Sequence, residues 1–182
     1  DKTGTLTEDR VILEKYLNAR GEEDIHVLSQ AFLNSYFQTG MKNLMDRAII
    51  ARGEKEGLSR LKREYVREDE IPFDFSRRMM SVVMRDRTTR RQLITKGAVD
   101  EVISRCRYVD MDGEEDMILL GFIGFLDPPK ESAKPALDNL QASGIRTVVL
   151  TGDAQGVAVA VAKRLGIDVT CTYNGTAVEN MS

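Results

Sequence analysis

From Ile118 to Leu126 the chain is almost continuously apolar, without the alternation of a half-solvated strand. A run of that length fits a strand covered on both faces, and such sheets are built with crossover helices. Asp127-Pro128-Pro129 stops the run. Ser132 to Ser143 then reads as a helix closed by Gly144, and Thr147 to Leu150 as a short buried strand leaving through Thr151-Gly152-Asp153. Ala154 to Leu165 reads as a helix closed by Gly166. This alternation predicts a parallel, doubly wound sheet.

The middle of the chain has another texture. Val11 to Leu17 reads as a strand. Glu22 to Phe37 reads as a helix, with apolar residues at Ile25, Leu28, Phe32 and Leu33. Asn43 to Arg52 is a second helix and Leu58 to Glu64 a short third. Glu70 to Phe75 is extended, because Pro72 blocks helix. Met80 to Met84 and Arg91 to Thr95 form a hairpin around the polar loop Asp86 to Arg90, and Val99 to Cys106 is a helix. The expected fold is α/β overall. An antiparallel α+β domain over residues 10–126 interrupts a doubly wound domain made of residues 1–9 and 127–182.

With 42% hydrophobic and 30% charged residues, the 182-residue chain suits a globular protein with a real core. Its net charge of −3 argues against a nucleic-acid partner. The longest apolar run, Met117 to Leu126, is about half of the roughly 20 residues a membrane helix needs. Cys106 and Cys171 lack any Cys-x-x-Cys spacing, which points to a reducing compartment and no zinc. The lone His26 is expected on a helix surface or in packing.

The opening Asp1-Lys2-Thr3-Gly4-Thr5-Leu6-Thr7 is chemically dense. An aspartate at the C-terminal edge of a parallel strand sits where α/β sheets bind ligands. Small residues and hydroxyls beside it suit a phosphate and its metal. A carboxylate attacks phosphorus only when it is held in line with a charge-neutralised phosphate, a role open to Lys2 and a metal. Position 3 separates two chemistries. Phosphatases of the haloacid dehalogenase-like superfamily usually carry Asp-x-Asp, with the second aspartate as general acid/base. Thr3 cannot supply that proton transfer, so an acyl-phosphate at Asp1 is expected to persist.

Residues 1–7 resemble in full the phosphorylation signature of the P-type ATPases. Three further segments agree in order along the chain. Lys96-Gly97-Ala98 resembles that of the nucleotide-binding domain, Asp127-Pro128-Pro129-Lys130 the hinge, and Thr151-Gly152-Asp153 that of the phosphorylation domain. The resemblance implies Asp1, Lys2, Thr3, Thr151, Gly152 and Asp153 as catalytic residues, with Mg²⁺ held at Asp1 and Thr3. It also implies a nucleotide-binding domain set in an incomplete haloacid dehalogenase-like phosphorylation domain.

ATP needs an aromatic face for its base and cations toward its phosphates. Phe75 and Lys96 are the expected pair, with Gly97 beside the lysine and Arg77 within reach of a phosphate. Asp46 resembles the acidic residue that meets the adenine amino group, against the alternative of a solvated helix face. Phe73 is expected in the core. Met80 stands where many P-type ATPases have a lysine, which leaves one phosphate contact unsupplied. Only about thirty residues separate Lys96 from Asp127, fewer than in the family, with an abrupt join near Gly113-Glu114-Glu115.

The opening on Asp1 reads as a piece of a longer protein. The downstream lysine motif, the Gly-Asp-Gly-x-Asn-Asp segment and the membrane helices are not in the sequence, so nucleotide binding without turnover is expected of this piece. The runs Leu33 to Leu44 and Ile71 to Val83 look like the bacterial magnesium-transporting P-type ATPases. Calcium and proton pumps are the nearest alternatives, and a phosphatase of the same superfamily is a more distant one. Heavy-metal pumps fit less well, because their Ser-Glu-His-Pro signature is missing. The resemblance implies a multi-pass protein of the cell membrane, with this region facing the cytoplasm. Its partners would be ATP, the transported cation, and the actuator and membrane domains of the same chain.

Overall fold

The computed structural model describes residues 5–8, 10–106, 108–109, 118–152 and 155–180. They fall into two compact units, Ile12–Leu126 and the remainder, Asp1–Val11 with Asp127–Ser182.

Among the described residues, the Ile12–Leu126 unit is a mixed α/β fold with two antiparallel sheets and one short parallel strand pair. Strand β1 (Ile12–Asn18) leads into helix α1 (Ile25–Phe37), whose N-cap Asp24 accepts from the His26 N–H at 2.8 Å. His26 itself is exposed at this first turn. Helix α2 (Leu44–Lys55) follows, then a 3-10 turn at Leu58–Arg60 and the short α3 (Leu61–Glu64). Strands β2 (Tyr65–Asp74), β3 (Met79–Asp86) and β4 (Arg91–Gly97) form an antiparallel sheet in the order β2-β3-β4. The β3–β4 turn closes on Asp86, whose carboxylate accepts from the N–H groups of Thr88 and Arg90. Beyond it come α4 (Val99–Ile103), β5 (Tyr108–Val109), β6 (Ile118–Leu119) and β7 (Gly121–Leu126).

Helix α1 is the centre of this unit, in contact with α2, β1, β4 and β7. Its apolar stripe supplies Leu28, Phe32 and Leu33, which are buried as fully as Val82 and Met84 of β3. Asn34 of α1 donates from Nδ2 to the Ile94 carbonyl at 2.8 Å, fixing the helix on β4.

The long apolar run differs from expectation. It breaks at Leu120 into two strands, and β7 pairs antiparallel with β1 instead of entering a parallel sheet. Its side chains are half-buried, not covered on both faces. The reason lies in its glycines. A Cβ at Gly121 would stand 2.0 Å from the Leu17 carbonyl oxygen, so this residue allows the two backbones to close.

In the other unit, the hinge segment pairs with the end of the opening signature. Glu8 N–H donates to Pro128 O at 2.8 Å and Lys130 N–H to Leu6 O at 2.9 Å. Helices α5 (Ala133–Ala142) and α6 (Gln155–Arg164) bury Ala133, Leu137 and Val161 together with Leu165, and Leu6 packs against this cluster. A short helix, α7 (Gly175–Glu179), was not expected from the sequence. Thr147–Leu150 is not a strand, and Val148 and Leu150 are 66% and 75% exposed. A parallel strand depends on hydrogen-bonded neighbours, and no strand of the described residues pairs with this segment.

The close contact between α1 and α2 yields a stability prediction. Gly53 lies inside α2, where alanine ordinarily gains about 0.5–1 kcal/mol over glycine. A Cβ there would meet Phe32 Cδ2 at 2.3 Å, and Phe32 is fully buried. Overpacking costs about 1–3 kcal/mol and outweighs the helix gain. Gly53→Ala is therefore expected to lower the urea midpoint, by roughly 1 kcal/mol or more of stability.

Candidate functional site

One end of the β2-β3-β4 sheet carries a cluster of buried polar side chains. Lys96 is the penultimate residue of β4 and stands in register with Met80 of β3. Its Nζ donates to Ser35 Oγ of α1 at 2.8 Å and forms an ion pair with Asp46 Oδ1 of α2. Asp46 Oδ2 accepts from Gln38 Nε2 at 2.6 Å and from the Asn43 N–H at 3.2 Å. Asn43 Oδ1 in return accepts from the Asp46 N–H at 2.9 Å, completing a capping box at the start of α2. One carboxylate thus caps a helix and neutralises a lysine.

Asp46 is only 3% exposed, so it does not lie on a solvated helix face. Burial by itself would raise its pKa. The hydrogen bond and charge of Lys96, with the hydrogen bonds of Gln38 and Ser35, outweigh that and hold the carboxyl below its usual range. For Lys96 the balance runs the other way. Burial pulls the ammonium below the usual lysine range, helped by the charge of Lys42 and opposed by Asp46.

The loop between α1 and α2 has a second anchor. Thr39 donates from its N–H and its hydroxyl to the two carboxylate oxygens of Glu70 on β2, at 2.9 and 2.6 Å. Arg67 donates to the same carboxylate at 2.7 Å.

Between β2 and β3 the chain turns through Asp74–Arg78. Phe75 is 90% exposed there, with its ring edge-on to Phe73 at 5.3 Å between centroids. Phe73 is itself 52% exposed, which corrects the expectation that it lies in the core. It sits on the edge strand β2, and its ring meets Phe75 instead of the buried residues. Arg77 donates from Nη2 to the Pro72 carbonyl at 3.1 Å. Met80 is buried beneath the sheet's inner face. Gly97 stands against this turn: a Cβ on it would meet Arg78 O at 2.6 Å.

The structure therefore joins Asp46 and Lys96 directly, and sets Phe75, Arg77 and Gly97 at the same sheet end. Thr151 and Gly152 lie in the other unit, in a segment without regular structure. Asp1, Lys2, Thr3 and Asp153 lie outside the described residues, as does the join at Gly113 to Glu115. Among the described residues no group of three His, Cys, Asp or Glu could hold a metal, and no helix is long and apolar enough to cross a membrane. Sequence reasoning assigned no role to Ser35, Gln38, Asn43, Thr39 or Asp74. Only Asn43 had a readable signal, the Asn-x-x-Asp spacing of a capping box.

Residues 33–117 match the family model for the P-type ATPase cytoplasmic domain N. Over its whole length the chain is 36% identical to the protein called Magnesium-transporting ATPase, P-type 1 of Escherichia coli strain K12. The chain belongs to the P-type ATPases. It contains the nucleotide-binding domain of that family and spans about a quarter of the length of the curated relatives it matches. The alignment with the Escherichia coli protein covers 25% of that protein and runs over 228 residues against this chain's 182, so the relative carries additional residues within the matched span. Calcium-transporting ATPase 1 of Bacillus cereus is 26% identical over 100% of this chain and 28% of that protein. Among solved structures, the catalytic CPx-ATPase domain CopB-B superposes with a TM-score of 0.55 over 92% of this chain and 56% of that one. At 17% identity this likeness establishes the fold alone.

The ion pair predicts an acid-dependent stability. Because the folded-state pKa of Asp46 is lowered, its stabilisation is fully present above the ordinary value of 3.8 and is lost as pH falls through the folded-state value. Asp46→Asn leaves Lys96 charged and partly buried without its partner, which is expected to cost about 2 kcal/mol at pH 7, below the 3–5 typical of fully buried pairs because the Lys96 side chain is 26% exposed. Urea unfolding of both proteins should show this gap at pH 7 and its narrowing below pH 3.8.

Proposed function

We propose that this chain is the ATP-handling region of a magnesium-transporting P-type ATPase. The Ile12–Leu126 unit binds ATP, with Phe75 stacking on the base, Asp46 toward the adenine amino group, and Lys96, Gly97 and Arg77 toward the phosphates. Residues 1–9 and 127–182 belong to a haloacid dehalogenase-like phosphorylation domain. There an oxygen of the Asp1 carboxylate attacks the γ-phosphorus, the bond from that phosphorus to the ADP oxygen breaks, and ADP leaves. Mg²⁺ bound at Asp1 and Thr3 would neutralise the phosphate, and Lys2, Thr151, Gly152 and Asp153 would orient it. Thr3 offers no acid/base group, so the aspartyl-phosphate persists until another part of the full-length protein admits water. Its hydrolysis then drives the ion across the membrane through domain movement.

The observation that carries the nucleotide site is the Lys96–Asp46 pair, set at the same sheet end as an aromatic ring held in water. Phosphorylation of Asp1 is supported by the seven-residue signature Asp1 to Thr7. Magnesium is favoured over calcium by the identities, 36% against 26% over the whole chain. By the same resemblance, the parent protein lies in the cell membrane with this region on the cytoplasmic side, beside its own actuator and membrane domains.

The test is labelling of the full-length transporter in membranes with ATP tagged at the γ-phosphate, followed by acid quench. Wild-type protein is expected to retain acid-stable, hydroxylamine-sensitive label. Asp1→Asn keeps the side-chain shape without the nucleophile, so label should vanish while ATP binding persists. Undiminished label on Asp1→Asn would place the phosphate on another residue.

A further inference from the structure

An exposed phenylalanine gains free energy by collapsing onto any apolar surface nearby. Holding Phe75 in water therefore needs a loop whose shape does not depend on packing its own ring. The Asp74–Arg78 turn has such a shape. Asp74 Oδ1 accepts from the Ser76 N–H at 2.8 Å, from the Arg77 N–H at 2.9 Å and from the Ser76 hydroxyl. The turn is closed at its far end by the Arg78 N–H, which donates to the Asp74 carbonyl at 2.7 Å. Arg78 adopts a positive φ of 50°, an uncommon conformation for a side chain of this kind. That geometry turns its carbonyl toward β4, where it accepts from the Ala98 N–H at 3.0 Å. Gly97 leaves room for this docking, since any Cβ there would collide with Arg78 O.

We propose that Asp74 is a positioning residue of the nucleotide site, prebuilding the Asp74–Arg78 turn so that Phe75 projects into solvent where the turn docks on the Lys96–Gly97–Ala98 end of β4. This rests on the reading of Phe75 as the base-stacking residue. Asp74 does not touch the nucleotide. It lowers the ordering cost of binding by fixing the loop in advance. Its carboxyl is held below the usual range by the Ser76 and Arg77 hydrogen bonds, so the acceptor is ionised at neutral pH.

The test compares four proteins, each as the 182-residue chain, titrated with adenosine and followed by amide hydrogen exchange. Phe75→Ala is expected to weaken adenosine binding at least tenfold, the loss typical of a removed stacking platform. Asp74→Ala should weaken it about fivefold and abolish protection of the Ser76 and Arg77 amides. Asp74→Asn keeps an Oδ1 acceptor and is expected to bind within about twofold of wild type, a rescue that a loss of bulk stability would not produce. Unchanged adenosine binding by Phe75→Ala overturns the pocket reading and this proposal with it. A weakened Phe75→Ala beside an unchanged Asp74→Ala overturns this proposal alone. Should Asp74→Ala fail to fold, wild type and Asp74→Asn still decide. Ser76 and Arg77 amides in wild type that exchange as fast as an unstructured chain, or an Asp74→Asn as weak as Phe75→Ala, would contradict it.

Discussion

The ion pair between Lys96 and Asp46 ties together the three elements that meet at the candidate site. Lys96 comes from β4, Asp46 from the first turn of α2, and Ser35, which also receives the lysine, from α1. Remove the pair and α2 loses part of its cap, β4 keeps a desolvated ammonium, and the α1–α2 loop loses its inner anchor. Such a pair is a poor source of net stability, because desolvating two charges costs about as much as their attraction returns. Apolar side chains would fill the same volume at no such cost. On the proposed function, a lysine held at a sheet end beside an aromatic ring in water serves a ligand with a flat base and a polyanionic tail.

The two anchors of the α1–α2 loop have separate chemistry. Gln38 holds the Asp46 carboxylate from one side, and Thr39, the next residue, reaches Glu70 on the edge strand β2. Strand β2 then runs to Asp74, which builds the turn bearing Phe75. Charge-assisted hydrogen bonds therefore hold the site at three separate points, around Lys96 and Asp46, at Glu70, and in the turn that begins at Asp74. Bonds of this kind are shorter and stronger than neutral ones, and they fix polar groups in place before any ligand arrives.

The Ile12–Leu126 unit was largely legible because its elements announce themselves locally. The 3.6-residue stripe of Leu28, Phe32 and Leu33 marks α1, and the apolar runs on either side of the polar Asp86 to Arg90 mark the hairpin. The apolar run at Ile118 to Leu126 was legible as extended but not as a partner of β1. Periodicity tells how a strand is covered, not which strand lies beside it, and the close approach at Gly121 that sets this pairing reads in sequence only as a glycine. Thr147 to Leu150 shows the same limit from the other side: apolar residues suggest a strand, yet a strand exists only with its neighbours. At the site, Lys96 and Phe75 could be picked out by residue type. The burial of Asp46 could not, since an aspartate near a helix start ordinarily faces water, and its partner lies 50 residues away. Ser35 and Gln38 look like ordinary polar positions of a helix end until Ser35 receives the Lys96 ammonium and Gln38 donates to the Asp46 carboxylate.

On the proposed function, the Lys96–Asp46 pair and the Phe75 turn form one nucleotide site. Backbone amide NMR of the isotopically labelled chain, titrated with ATP, tests it directly. A single site is expected to give saturable shifts in three separate segments, Ser35 to Asp46, Asp74 to Met80 and Lys96 to Ala98, with one common dissociation constant. The hairpin tip at Asp86 to Arg90, at the opposite end of the same sheet, should stay unchanged. Shifts concentrated at that tip, or saturation without any response at Phe75 and Lys96, would contradict a nucleotide site shared by these residues.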